Sequence, residues 1–294
     1  MTTIPETVDP YDITRQSNGL RRRRITEKVM AALGVVSALS AVGILALVLG
    51  TVIYKGIDAL DADFFTQPRP LFGTEGGIAD ALVGSALIVG MCVLFAVPVA
   101  VLVAIYMAEY ASPRVSIFLR IVLDVLNGVP AIVVGIFIFG ILVVGHGQSA
   151  LFGALALAIL MLPMVARATQ EVLEVIPRSL REASLALGVT KWKTTSSIVL
   201  PAAVGGILTG VVIAVARVAG ETAPLLFTSS IAANQVSTDV LQALPTLPVA
   251  IFTFADSADP ADQARGWAAA LVLIVFVLVT NILAKLFSRG RTGR

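Results

Sequence analysis

Six long apolar runs dominate this chain, and they leave few folds open to it. Residues 29–53, 81–108, 125–145, 149–166, 201–227 and 266–284 each approach or exceed the ~20 apolar residues that a helix needs to cross a bilayer core. The runs are continuous, whereas the strands of a membrane barrel alternate in short segments. Of the 294 residues, 57% are hydrophobic and 14% charged, against roughly 25% charged in soluble domains. The expected fold is therefore an all-α membrane protein with six transmembrane helices. The run 149–166 is the shortest of the six.

Charge sets the expected orientation, because Lys and Arg collect on the cytoplasmic side of membrane proteins. With the N-terminus inside, that side gathers the basic arm with Arg21, Arg22, Arg23 and Arg24, then Arg114 and Arg120, then Arg167, Arg178, Arg181, Lys191 and Lys193, and finally Lys285, Arg289, Arg291 and Arg294. Only Lys55, Arg69 and Arg265 fall outside, and Arg217 lies within a span. Both termini are expected in the cytoplasm. The domain reading is a disordered basic arm over 1–28, a transmembrane domain over 29–288 and a basic tail over 289–294. The first apolar run exceeds the 7–15 residues of a signal-peptide core, so it reads as an anchor. The arginine run reads as a topology determinant at an anionic leaflet, with no nucleic-acid partner.

Several chemistries lack their residues. No lysine follows a glycine, so the phosphate-cradling loop of an ATPase is missing. No nucleophile elbow, His-Glu-x-x-His or cysteine-pair motif occurs. The single Cys92 reads as a small core residue, and the single His146 as a polar residue at a helix end. The chain is read as non-enzymatic and without a cofactor or metal. Charges within or beside the spans are few: Glu109, Asp124, Arg217 and Glu221.

Two segments carry functional information. The first is the charged stretch 167–200. Pro177 suits a helix start, Gly188 suits a helix stop or tight turn, and Trp192 suits a membrane interface. Glu182-Ala183-Ser184, three residues, Gly188, nine residues and Ile198-Val199-Leu200-Pro201 together form a spaced pattern that ends where the fifth span opens. The second segment is 217–226. An arginine at span depth is costly and usually faces a bundle interior or a pathway. Arg217 and Glu221 are expected on one helix face at i, i+4, within ~40° of Gly206 and Gly210 at 100° per residue, a face expected to pack against a partner subunit. Two readings stay open: the charges neutralise each other, or Arg217 offers its donor fork to a permeating oxyanion while Glu221 holds it and keeps affinity low enough for release. Asn127, in Asn127-Gly128-Val129-Pro130, can donate to an oxyanion or cap a helix, and Gly128 and Pro130 read as a hinge. The loop 228–265, too short and Pro-broken to span, is expected at the outer interface or re-entrant, and the outer acids Asp58, Asp61, Asp63, Asp256, Asp259 and Asp262 are expected to be solvated or to face a binding protein.

The spaced pattern resembles the signature of bacterial ABC importer permeases, with Ser184 in place of a second alanine. That resemblance implies a type I importer permease fold in the bacterial inner membrane. It also implies coupling helices around Glu182, Ala183, Ser184 and Gly188 that dock on a separate ATP-binding subunit, present in two copies and holding the ATP and Mg²⁺. Residues 217–226, with Gly76-Gly77-Ile78 and the Asn127 motif, resemble the phosphate-specific branch, and its PstA type rather than its PstC type, from about residue 30 onward. The implied partners are a homologous PstC-type permease and an extracytoplasmic phosphate-binding protein, with Arg217 and Glu221 linked to phosphate translocation. Alternatives are a permease for sulfate, molybdate or another oxyanion, and a secondary transporter, which would show internal repeats.

Overall fold

The computed structural model describes residues 18–69, 76–230 and 235–289. The expectations for the first 17 residues and for the tail beyond Arg289 lie outside the described residues. The chain divides into two units, Met1–Thr51 and Val52–Arg294.

The first unit is the bulk of helix α1 (Asn18–Gly56). The helix starts inside the stretch read as a disordered arm, so Arg22, Arg23 and Arg24 form part of its opening turns. An apolar helix extends outward cheaply once nucleated, since each further residue adds one backbone bond. Its hydroxyls bond back onto the helix: Thr26, Ser40 and Thr51 donate to the carbonyls of Arg22, Val36 and Leu47 at 3.0, 2.8 and 2.8 Å. Hydroxyls satisfied in this way can sit in lipid.

The second unit continues with α2 (Ala62–Thr66), α3 (Ala79–Ile105), α4 (Pro113–Gly128), α5 (Ala131–Ile138), α6 (Ala150–Val175), α7 (Arg178–Ala186), α8 (Lys191–Thr194), α9 (Leu200–Val218), α10 (Ala223–Thr228), α11 (Leu247–Ala255) and α12 (Pro260–Arg289). π-Helical turns interrupt the series at Tyr106–Tyr110, Phe139–Val143 and Thr195–Val199. Among the described residues five helices are long and apolar enough to cross a membrane, and a sixth span results if α4 and the segment Ala131–Val143 count as one. That pair bends by 92°. The bend falls at the Gly128-Val129-Pro130 hinge. Pro130 forces the preceding residue out of helical space, and Val129 is extended at φ −69°, ψ 127°.

α6 was the shortest apolar run, yet it is the most enclosed helix. Of its most apolar window 56% is buried, against 28% or less for the other four. Its polar C-terminal part, from Arg167 to Glu174, continues the helix past the apolar run. α3 packs on α6 through small residues at every fourth position, Cys92, Ala96, Ala100 and Ala104, all essentially buried. Cys92 is a core residue as expected, with Sγ 3.6 Å from Met161 Sδ.

α6 and α9 run antiparallel. A Cβ on Gly206 would lie 2.7 Å from Val172, and one on Gly210 would lie 2.7 Å from Ala168. Gly206 and Gly210 thus bring α9 against α6 of the same chain, which corrects the expectation that this face meets a partner subunit. Small residues on both helices let the backbones meet, and no partner is needed to fill the groove.

The loop before α12 turns inward. Leu244, Thr246, Leu247, Val249 and Ala250 are buried, and α11 packs beside Ile78, Ala81, Ala268 and Ala269. Asp58, Asp61, Asp63, Asp256 and Asp259 are exposed, as expected, while Asp262 is half-buried and 3.0 Å from Arg265. Asp80 and Arg69 are buried together, with Arg69 Nε donating to Asp80 Oδ2 at 3.1 Å. A Cβ on Gly84 would sit 1.9 Å from the Pro245 carbonyl oxygen. Gly84→Ala is therefore expected to push the 244–246 loop off α3 and to cost roughly 1–3 kcal/mol, as overpacking does. Thermal unfolding in detergent measures it, and an unchanged midpoint contradicts this close approach.

Candidate translocation and coupling sites

α9 ends one residue after Arg217. Its last N–H groups turn to nearer carbonyls: Gly220 N–H donates to Arg217 O at 3.1 Å and Glu221 N–H to Val218 O at 3.0 Å. Pro224 then sits in the first turn of α10, where its missing N–H costs nothing. The run 201–227 is thus two helices with a break at 219–222, and Arg217 and Glu221 do not share one continuous helix face. The tightened turn and the proline override the apolar periodicity.

The break nevertheless gathers the expected residues. Arg217, Glu221 and Asn127 all line one cavity of about 60 Å³, walled by Leu126, Leu160 and Met164. Two close packings build it. The α6–α9 seam carries Arg217 to the level of Leu160 and Met164. A Cβ on Gly135 would lie 2.6 Å from Pro224 Cα, so α5 is held against the start of α10, next to Glu221. Asn127 lies in the last turn of α4 and caps no helix, since the residue before α5 is Pro130.

Pairing separates the four charges at span depth. Glu109 is bound to Arg181 at 2.7 Å and Asp124 to Arg167 at 3.3 Å. No side-chain hydrogen bond or ion pair joins Arg217 and Glu221 to each other or to another described residue. Arg217 and Asn127 are exposed on the surface of this chain, and Glu221 is half-buried.

The second site is the elbow of α7 and α8. Gly188 takes φ +77°. Val189 N–H donates to Ser184 O at 3.2 Å and Gly188 N–H to Leu185 O at 3.0 Å. This crossed pair of bonds around a left-handed glycine closes the helix end. Ser184 is buried and its Oγ lies 2.8 Å from Thr194 Oγ1, so the serine that departs from the expected alanine ties α7 to α8. Glu182, Ala183 and Gly188 are exposed. Sequence reasoning missed the pairs Arg181–Glu109, Arg120–Glu174 at 3.0 Å and Arg69–Asp80. Of these six residues only Glu109 stood out as a charge beside a span, and no local periodicity links residues so far apart.

A bundle whose helical elbow interrupts two spans is the fold of ABC importer membrane subunits. It matches a bacterial alginate ABC transporter crystallised with its alginate-bound periplasmic protein at a TM-score of 0.65 and 16% identity, covering 92% of this chain and 96% of that one. It also matches an inward-facing MetNI methionine ABC transporter at a TM-score of 0.54 and 17% identity, over 73% and 94%. The chain belongs to the family of binding-protein-dependent transport system inner membrane components, whose match covers residues 100–293. It is 40% identical to the phosphate transport system permease protein PstA of Haemophilus influenzae over 93% of this chain and 98% of that protein. The PstA of Yersinia pestis is 40% identical over 90% of each chain. PstA 1 of Mycobacterium tuberculosis strain H37Rv is 41% identical over 74% of this chain and 72% of its own length. The chain is accordingly a multi-pass inner-membrane permease subunit of an ABC transporter.

Proposed function

We propose that the chain forms one half of the transmembrane pathway of an ATP-driven importer of inorganic phosphate, working by alternating access. The observation that carries this reading is the unpaired state of Arg217 and Glu221 in one cavity with Asn127, since the structural reading of these charges required them to neutralise each other. A guanidinium with free donors matches the bidentate geometry of an oxyanion. Glu221 beside it lowers affinity so that the anion can leave, as permeation requires. The names of the relatives support phosphate as that oxyanion.

The exposed surface of Arg217 fits a pathway completed by a second, homologous permease of PstC type. An extracytoplasmic binding protein delivers the anion. Two copies of an ATP-binding subunit, holding ATP and Mg²⁺, grip the elbow at Glu182, Ala183 and Gly188 on the cytoplasmic side, with Ser184 bracing it from within. Uptake by the full complex in proteoliposomes tests the cargo. Unlabelled phosphate is expected to compete with labelled phosphate at least ~10-fold better than sulfate or molybdate, a discrimination of about 1.4 kcal/mol. Equal or stronger competition by sulfate or molybdate would move the assignment to another oxyanion.

A further inference from the structure

One turn of α3 touches both arms of the elbow. That turn is the π-helical segment Tyr106–Tyr110 at the end of α3, and two adjacent residues of it reach the two arms of the elbow. Glu109 Oε1 accepts from Arg181 Nη2 at 2.7 Å and from Arg181 Nε at 2.9 Å, on α7. The ring of Tyr110 lies under Lys191 Nζ of α8, 5.0 Å from its centroid. Arg181 spends its remaining donors on the end of α6, giving Nη1 to Ile176 O at 2.7 Å and Nη2 to Leu173 O at 2.8 Å. Cations near the last carbonyls of a helix also meet the negative end of its dipole.

Around these contacts the junction is open. A cavity of about 670 Å³ lies there, bordered by Glu109, Arg181, Glu182, Lys191, Thr194 and Thr195. Glu109 and Arg181 are 6% and 19% exposed, so water and salt screen the pair little. Each π-turn is a local irregularity of a helix, a feature often found at functional sites, and a second one, Thr195–Val199, lies between α8 and α9. From Leu173, three turns along α6 lead to Leu160 and Met164, which wall the cavity of Arg217.

We propose that Glu109 and Arg181, seconded by Lys191 over Tyr110, form the joint that carries a displacement of the elbow into α3 and α6, and through α6 to the cavity of Arg217. The proposal rests on the reading of α7–α8 as the segment gripped by the ATP-binding subunit. Arg181 is a positioning residue, since it touches neither phosphate nor nucleotide. Its neighbour Glu182 faces outward for the grip while Arg181 faces inward for the transmission. A pull on α7 reaches α6 through the backbone at Ile176-Pro177 as well as through Arg181, and it reaches α3 where polar bonds cross the open cavity.

The test is the double substitution Glu109→Met with Arg181→Met. Exchanging both members of a buried ion pair for apolar residues leaves no unpaired charge and is often neutral for stability. In the full complex in proteoliposomes, phosphate transported per ATP hydrolysed is expected to fall about tenfold, within the usual range of coupling between sites, while hydrolysis continues. Arg181→Lys keeps a cation against Glu109 and is expected to recover most of that ratio. A wild-type ratio in the double variant overturns the joint and leaves the pair a structural staple, as does a parallel loss of hydrolysis and uptake. Gly188→Leu measured alongside separates the two readings. If it uncouples and the double variant does not, the joint fails alone; if neither uncouples, the grip on the elbow fails as well.

Discussion

Arg217→Gln is expected to lower phosphate uptake by the assembled complex about 100-fold. Two charge-assisted hydrogen bonds from one guanidinium, at roughly 1.5–3 kcal/mol each, more than account for a loss of that size. Gln retains hydrogen-bond donors and much of the length but not the charge. Arg217 makes no described ion pair, so its removal strands no buried carboxylate, and the complex is expected to assemble in normal yield. Arg217→Lys keeps the charge without the fork and is expected to fall between, about tenfold below wild type. Uptake by Arg217→Gln at the wild-type rate would mean that no permeating anion uses this side chain.

Glu221 gives the same argument an opposite sign. A carboxylate in the wall of an oxyanion pathway weakens binding and speeds release. Glu221→Gln is therefore expected to hold phosphate more tightly and to turn over more slowly, with KM and the maximal rate falling together. A structural partner of Arg217 would behave otherwise, since its loss would mimic Arg217→Gln. The lack of an ion pair between the two side chains supports the first of these outcomes.

The spans were legible because an apolar run is a local property, and the hinge at Gly128-Val129-Pro130 was legible because proline acts on its immediate neighbour. Gly206 and Gly210 were legible as a close approach, but the identity of the approaching helix was not. A small residue says that something comes near, and only the tertiary arrangement shows Val172 and Ala168 there. The break after Val218 was hidden inside an apolar run, because hydropathy does not register a turn that shifts hydrogen bonds by one residue. Arg217, Glu221 and Asn127 could be placed together only through the resemblance, and the structure brings them to one cavity by a route different from a shared helix face. Arg181 and Glu109 are 72 residues apart, and nothing in either local sequence announces the pair.

Gly188→Leu is expected to uncouple the transporter while leaving it inserted and assembled. Gly188 sits at φ +77° with no atom within 4 Å of the position its Cβ would take. The substitution thus meets no clash and acts through the backbone alone, where a left-handed residue other than Gly or Asn costs roughly 1–2 kcal/mol. That strain is relieved by opening the turn, which loses the bonds from Gly188 and Val189 to Leu185 and Ser184 and lets α7 swing from α8. Phosphate uptake is expected to fall at least ~10-fold, and the stimulation of ATP hydrolysis by loaded binding protein to fall with it, within the usual span of intersite coupling. Gly188→Asn tolerates the left-handed region and is expected to retain most of the function. Glu182→Trp tests the grip from outside: Glu182 is exposed, so a large ring there leaves the fold intact and obstructs whatever docks on α7. Loss of uptake in Glu182→Trp and Gly188→Leu, with recovery in Gly188→Asn, is the pattern of a preformed elbow held by a second protein. Normal uptake in both of the damaging variants would remove the elbow from the mechanism.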